Sequence, residues 1–317
     1  VQALASNTKN DRFAYDAYRR FVQMYSSVVI GLPKEDLEHK LRAMKTRLGV
    51  KDDTEVPAAG WRELVKEYKA YFKEHTGKAF PEDPEEQLWG AIGAVCGSWM
   101  ADKAVTYRRV EKITGLLGTA VNVVQMVFGN TGDASGTGVC FTRDPSTGEK
   151  IFYGDFLLNA QGEDVVAGIR TPMHLDEMSK HMPSIYKQLE RVRKLLETHY
   201  RDMQDIEFTV EEGTLYVLQT RTGKRTPSAT FQMAVDMAKE GLISREEAIE
   251  RVKAEDIERL FYPVIDASVQ RTDLLRRKLA VGVNAVPGAA VWQAVFTAHE
   301  AEAWAKEGKK VILVRRE

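Results

Sequence analysis

The chemistry this sequence offers is concentrated in one charged hairpin. In residues 205–221, DIEFTVEEGTLYVLQTR, Asp205, Glu207 and Thr209 alternate with Ile206, Phe208 and Val210. That two-residue period predicts a strand with one polar and one buried face. Glu211, Glu212 and Gly213 read as a three-residue turn, with glycine where a positive φ is needed, and residues 214–221 as the return strand. A turn of that length sets Asp205 opposite Gln219 and Glu207 opposite Val217, so that 205, 207, 217, 219 and 221 share a face. Two carboxylates at i and i+2 suit a hard cation such as Mg²⁺, whose remaining ligands can be phosphate oxygens and water. Arg221 can neutralise charge on a transferred phosphoryl group, with the Gln219 amide beside it. The plainer alternative is a solvated hairpin face, on which alternating polar residues are routine.

A second stretch, residues 121–144, reads VNVVQMVFGNTGDASGTGVCFTRD. Val121, Val123, Val124, Met126, Val127 and Phe128 predict a buried strand, and residues 139–142 a second one. Between them lie Gly129, Gly132, Gly136 and Gly138, with Ser135 and Thr137. Backbone N–H groups in such a turn have little side chain above them and can lie against phosphate oxygens. A mobile surface hairpin explains the composition equally well. Neither a Walker A nor a GxGxxG string is present, which excludes the P-loop and Rossmann readings on motif grounds.

These two stretches need a scaffold. Helical periodicity runs through residues 12–29, 34–48, 61–75, 85–99 and 102–109, before any clear strand. Leu64, Val65, Tyr68 and Phe72 mark the inward face of the third helix. Residues 151–158 predict a strand and 184–200 a helix with Ile185, Leu189, Val192 and Leu196 on one side. A helix over 229–239 follows the hairpin, and Ser244 with Glu247 forms a capping box. Residues 263–276 read as a linker. Short strands over 281–296, a helix over 298–307 and a strand over 310–314 close the chain. Arg108, Arg109 and Arg170 could approach a ligand, or be solvated.

Composition sets outer bounds. A net charge of −1 gives no global attraction toward nucleic acid. No apolar run approaches the ~20 residues of a membrane span, and residues 1–11 do not resemble a signal peptide. Cys96 and Cys140 fit a reducing compartment rather than a disulfide framework, which predicts a cytoplasmic setting. Cys140 falls in a predicted strand and reads as core.

Three strings, GTAVNVVQMVFGNTGDASGTGVCFTRDPSTGEK, NAQGEDVVAGIRTP and RDMQDIEFTVEEGTLYVLQTRTGKRT, closely resemble the pyruvate, phosphate dikinase family. The resemblance covers nearly the whole chain. It implies an α+β fold: an ATP-grasp-like nucleotide-binding domain with a helical subdomain, plus an incomplete α/β swivelling domain. The implied divisions are a helical subdomain at 1–110, the grasp sheet at 111–228, a helical segment and linker at 229–275, and the start of a phosphohistidine domain at 276–317. By resemblance Asp205 and Glu207 bind the metal, Mg²⁺, and Gln219 and Arg221 serve catalysis at the triphosphate of ATP. Gly132, Ser135, Gly136, Thr137 and Gly138 cover the phosphates, and Glu163 lies near the nucleotide with Asp164 beside it. The implied reaction moves phosphoryl groups from ATP through a histidine to pyruvate, with inorganic phosphate as co-acceptor, giving phosphoenolpyruvate, AMP and diphosphate.

Measured against the family pattern, the chain lacks about a hundred leading residues that carry a phosphate-binding lysine and arginine, a domain-sized piece. It also lacks the catalytic histidine and the barrel domain. Trp292 and Gln293 replace a small and a basic residue. The resemblance implies a homodimer for the full-length enzyme, a plastidial setting if the source is a plant, and an inactive fragment here, while the balanced charge and the lack of a long apolar run leave neither nucleic acid nor membrane as an expected partner. The competing expectations are a water-using relative, similar to phosphoenolpyruvate synthase or a glucan dikinase, and a non-catalytic docking fragment.

Overall fold

The computed structural model describes residues 1–166, 171–260, 275–280 and 290–315. Arg170, most of the expected linker and most of the short strands expected before residue 293 lie outside the described residues. The chain divides into two compact units, Val1–Gln125 and Met126–Glu317.

The first unit is helical: α1 (Gln2–Thr8), α2 (Asp11–Met24), α3 (Lys34–Leu48), α4 (Ala58–Thr76), α5 (Pro84–Ser98) and α6 (Asp102–Val110). Each helix has a local cause. Asn10 caps α2 by accepting the Phe13 N–H, and a one-turn π-helix, Tyr25–Val29, extends it. Gly49 and Gly77, both left-handed, terminate α3 and α4. Leu37, Met44, Trp61, Leu64, Tyr68 and Phe72 form the core with Val22 and Tyr25. The inward face expected for α4 is therefore the one it buries.

The apolar run Val121, Val123, Val124, Met126, Val127 and Phe128 forms no strand. Val123, Val124 and Met126 are exposed instead. Their composition favours extended backbone, but a strand also needs a partner ladder, and none of the described strands pairs with this run.

The second unit is built on a five-stranded antiparallel sheet, in the order β3-β2-β1-β4-β5. The strands are β1 (Gly136–Phe141), β2 (Tyr153–Leu158), β3 (Met173–His174), β4 (Gln204–Glu211) and β5 (Thr214–Thr222). Between them lie α7 (Gly162–Val166), α8 (Met178–His181) and α9 (Pro183–Tyr200), and α10 (Pro227–Lys239), α11 (Arg245–Glu250) and α12 (Ala254–Arg259) follow. One sheet face is apolar. Cys140, Phe156, Ile206, Phe208 and Val210 pack there with Ile185 and Leu189 of α9. Burial pushes the Cys140 thiol far up from its ordinary value, as befits a core residue. A second cluster joins Met203 to Ala229, Met233 and Met237 of α10, with Phe141 against it. The Ser244–Glu247 capping box is present at α11.

Arg143, fully buried, ties three elements together. Its Nε donates to Glu197 Oε1 at 2.7 Å, and Nη1 and Nη2 donate to the two Glu240 oxygens at 3.0 and 2.8 Å. Toward the C-terminus, β6 (Gln293–Val295) and β7 (Val311–Leu313) pair in parallel, with α13 (Ala298–Lys306) between them in sequence.

Candidate functional site

The polar face of the sheet follows from strand alternation. Because Ile206, Phe208 and Val210 are in the core, Asp205, Glu207 and Thr209 point to the other side. The β4–β5 ladder pairs Asp205 with Arg221 and Glu207 with Gln219, and then shifts register between Glu207 and Phe208. Beyond the shift Phe208 pairs with Val217, leaving Leu218 as the extra residue of a β-bulge. Asp205, Glu207, Gln219 and Arg221 thus share one face as expected. Two details of the expected register are corrected. Asp205 stands opposite Arg221 rather than Gln219, and Val217 falls opposite Phe208, off the polar face. The cause is a tighter tip combined with the bulge. Glu211 pairs with Thr214, so the turn is Glu212–Gly213 alone, with φ of 48° and 76°. Positive φ at both positions is the type I′ geometry that two-residue hairpins favour.

Arg221 closes over both acids. Its Nε donates to Asp205 Oδ2 at 2.6 Å, and Nη2 lies 3.1 Å from Glu207 Oε1. The Asp205 hydrogen bond holds the guanidinium above its ordinary pKa. Asp205 is buried, and its Oδ1 has no hydrogen-bond partner among the described residues. A buried carboxylate oxygen left unpaired is costly. An acceptor of this kind, on a carboxylate beside a second carboxylate, suits a cation. The Arg221 side chain, by contrast, is 57% exposed. The donor set fits a hard divalent cation: two carboxylates on adjacent same-face positions, with an amide and a cation next to them. Among the described residues no group of three or more His, Cys, Asp and Glu gathers to hold a metal. Two protein carboxylates are what Mg²⁺ takes when phosphate and water fill its other positions.

The glycine-rich stretch sits elsewhere. Its loop, residues 129–135, caps the hairpin tip: Ser135 Oγ accepts the Glu212 N–H at 2.9 Å, and Ala134 O accepts the Gly213 N–H at 2.9 Å. Ser135 is buried, and its hydroxyl also pairs with that of Thr131. Gly136 and Gly138 lie within β1 and pair with Val210 and Phe208, on the packed face. A Cβ on Gly138 would meet Asp155 O at 2.6 Å and the Phe208 ring at 2.6 Å, so these glycines have a packing reason of their own. Thr137 is on the polar face, where its hydroxyl donates to Phe208 O at 3.0 Å and pairs with that of Thr209. Gly132 lies in the open part of the loop, with nothing near its Cβ position. Glu163 is exposed on α7, a helix that packs at the same end of the sheet through the contact of Gln161 with Asn130.

The structure therefore gathers Asp205, Glu207, Gln219 and Arg221, and holds Gly132, Ser135 and Glu163 toward the hairpin tip. From Glu207 to Val210, the partner of Gly136, is three residues, about 10 Å along the strand. One ion cannot touch both places, whereas an extended ligand can.

One polar group, Asp155, escaped the sequence reading. Asp155 pairs with Val139, which pairs with Glu207, so Asp155 occupies the same row of the polar face, about 10 Å and two strands away. His174, paired with Asp155 on β3, has its Nδ1 3.3 Å from Asp155 Oδ1. The signal was the alternation of Asp155 with Phe156. It becomes readable only once the strand order is known.

A sheet with one face packed on helices and the other carrying paired acids beside an arginine defines an α+β domain. The family model described as pyruvate phosphate dikinase, AMP/ATP-binding domain, matches residues 43–185 and 173–242. The chain belongs to the pyruvate, phosphate dikinase family. It is 51% identical to a pyruvate, phosphate dikinase of Rhizobium meliloti (strain 1021), over 100% of this chain and 36% of that protein. It is 54% identical to pyruvate, phosphate dikinase 1, chloroplastic, of Arabidopsis thaliana, over 100% and 32%. For the Clostridium symbiosum pyruvate, phosphate dikinase the figures are 49%, 100% and 36%. The chain thus spans about a third of the length of the curated relatives it matches. No helix among the described residues is long and apolar enough to cross a membrane.

Proposed function

We propose that this chain supplies the Mg·ATP-binding part of a pyruvate, phosphate dikinase, with an ATP-grasp-like arrangement in its second unit. The single observation that carries this reading is the Asp205–Glu207–Arg221 cluster, with one buried carboxylate oxygen unpaired and the arginine half-exposed. Asp205 and Glu207 would hold Mg²⁺. The ion, when bound, supplies neutralisation of the phosphate oxygens. Arg221 pairs with phosphate oxygens in the bidentate manner guanidinium allows, and Gln219 orients the chain of phosphates beside it. Gly132 and Glu163, at the far end of the polar face, would meet the rest of an extended nucleotide.

Phosphoryl transfer asks for charge neutralisation and in-line positioning rather than a strong base. These residues meet the first need, and the acceptor histidine, with pyruvate and phosphate sites, belongs to the rest of the parent enzyme. The chain alone then binds nucleotide weakly and does not turn over. Calorimetry with Mg·ATP tests this, with an expected Kd weaker than about 10 μM and no detectable binding for Asp205→Asn. Tighter binding by the unmodified chain would show that no further phosphate ligands are needed. Equal binding by Asp205→Asn would remove the site from this face.

A further inference from the structure

We infer that Arg221 is an internal counter-ion occupying the cation's place, so that this face admits a divalent cation together with a phosphate-bearing ligand and resists the free cation. The inference rests on the metal-site reading above. Arg221 makes its close charged contacts with the two carboxylates expected to ligate the metal, through Nε to Asp205 and Nη2 to Glu207. A cation arriving between those oxygens meets a positive group already there. Both cannot stay, because like charges at such separations repel strongly in a partly buried setting.

The arginine can leave. Its side chain is 57% exposed and sits on β5, a sheet-edge strand, so its head can turn outward into water at small cost. Asp205, 9% exposed, stays in place. The charge count gives the direction of the coupling. Two carboxylates and one guanidinium leave the cluster at −1. Exchanging the guanidinium for a divalent cation brings the carboxylates to neutrality and frees one positive charge. A phosphate oxygen adjacent to the cation re-pairs that charge, and a free cation does not. Metal and phosphate therefore each raise the other's affinity, reciprocally.

The test uses Mn²⁺ alone, followed by water-proton relaxation on the full 317-residue chain. Arg221→Gln is expected to bind Mn²⁺ about tenfold more tightly than the unmodified chain, equivalent to about 1.4 kcal/mol. Arg221→Lys, which keeps the charge but loses the fork, should fall between them and guards against a misfolded glutamine variant. Adding inorganic triphosphate should tighten Mn²⁺ binding in the unmodified chain and much less in Arg221→Gln. Equal Mn²⁺ affinity in all three proteins, lost in Asp205→Asn, would overturn the counter-ion role while keeping the metal site. Mn²⁺ binding in none of them, or undiminished in Asp205→Asn, would overturn both.

Discussion

Two arginines in the second unit each grip a pair of carboxylates, and they do so for opposite ends. Arg143 is fully buried and places Nε, Nη1 and Nη2 on Glu197 and Glu240, while Thr142 Oγ1 donates to Glu197 as well. Arg221 is half-exposed, spans Asp205 and Glu207, and leaves one buried Asp205 oxygen unpaired. The first cluster is closed and belongs to the architecture. The second leaves a buried oxygen unpaired and its cation half in water, the difference on which the proposed ligand site rests. Residue types alone do not separate the two; exposure of the cation and the unfilled oxygen do.

The largest effect should come from the closed cluster. Arg143→Leu strands two carboxylates in or near the core, and chemical denaturation should show a loss of about 3 kcal/mol or more. A loss below about 1 kcal/mol would show that the glutamates relax into water, and the contrast between the clusters would fade. The next effect is a pH dependence. Hydrogen bonding to Arg143 holds the Glu240 carboxyl below its ordinary range, with Lys150 adding to the shift. The folded value lies under the unfolded one, so this contribution is present above about pH 4.3 and is lost as the pH falls through the folded value. Acid titration of stability should show that limb in the unmodified chain and a flatter one in Arg143→Leu. Arg221→Gln should cost less stability than Arg143→Leu, because only one of its two carboxylate partners, Asp205, is buried and a glutamine amide can still donate to it, while altering cation binding. A large stability loss there would make the two clusters alike. Smallest of all, Glu212→Asn places a better type I′ residue at the tip and should raise stability by about a few tenths of a kcal/mol, read as a slightly higher thermal midpoint.

What was legible in the sequence divides along the same physical line. Helices α3, α4 and α9 follow from a repeat contained within each segment, and α11 from a capping box four residues long. Residues 121–128 have the same apolar, β-branched content as a true strand, yet pairing depends on distant residues and none of the described strands joins them. Gly136 and Gly138 looked like members of a phosphate loop because composition does not say which face a residue takes. The hairpin register came out partly right through two shifts of one residue. The turn is one residue shorter than expected, and the bulge adds one residue back on β5. The two shifts together preserve the sidedness of Gln219 and Arg221 and displace only their partners.

Leu218 is, in this sense, a phase shifter. With the same tip and an unbroken ladder, Leu218 and Thr220 would stand over the two acids, and Gln219 and Arg221 would be turned toward the helices. The charge that answers the carboxylates therefore owes its side of the sheet to one unpaired leucine backbone. Any transplant or redesign of this hairpin that irons out the kink would keep every side chain in the sequence and still lose the shared polar face.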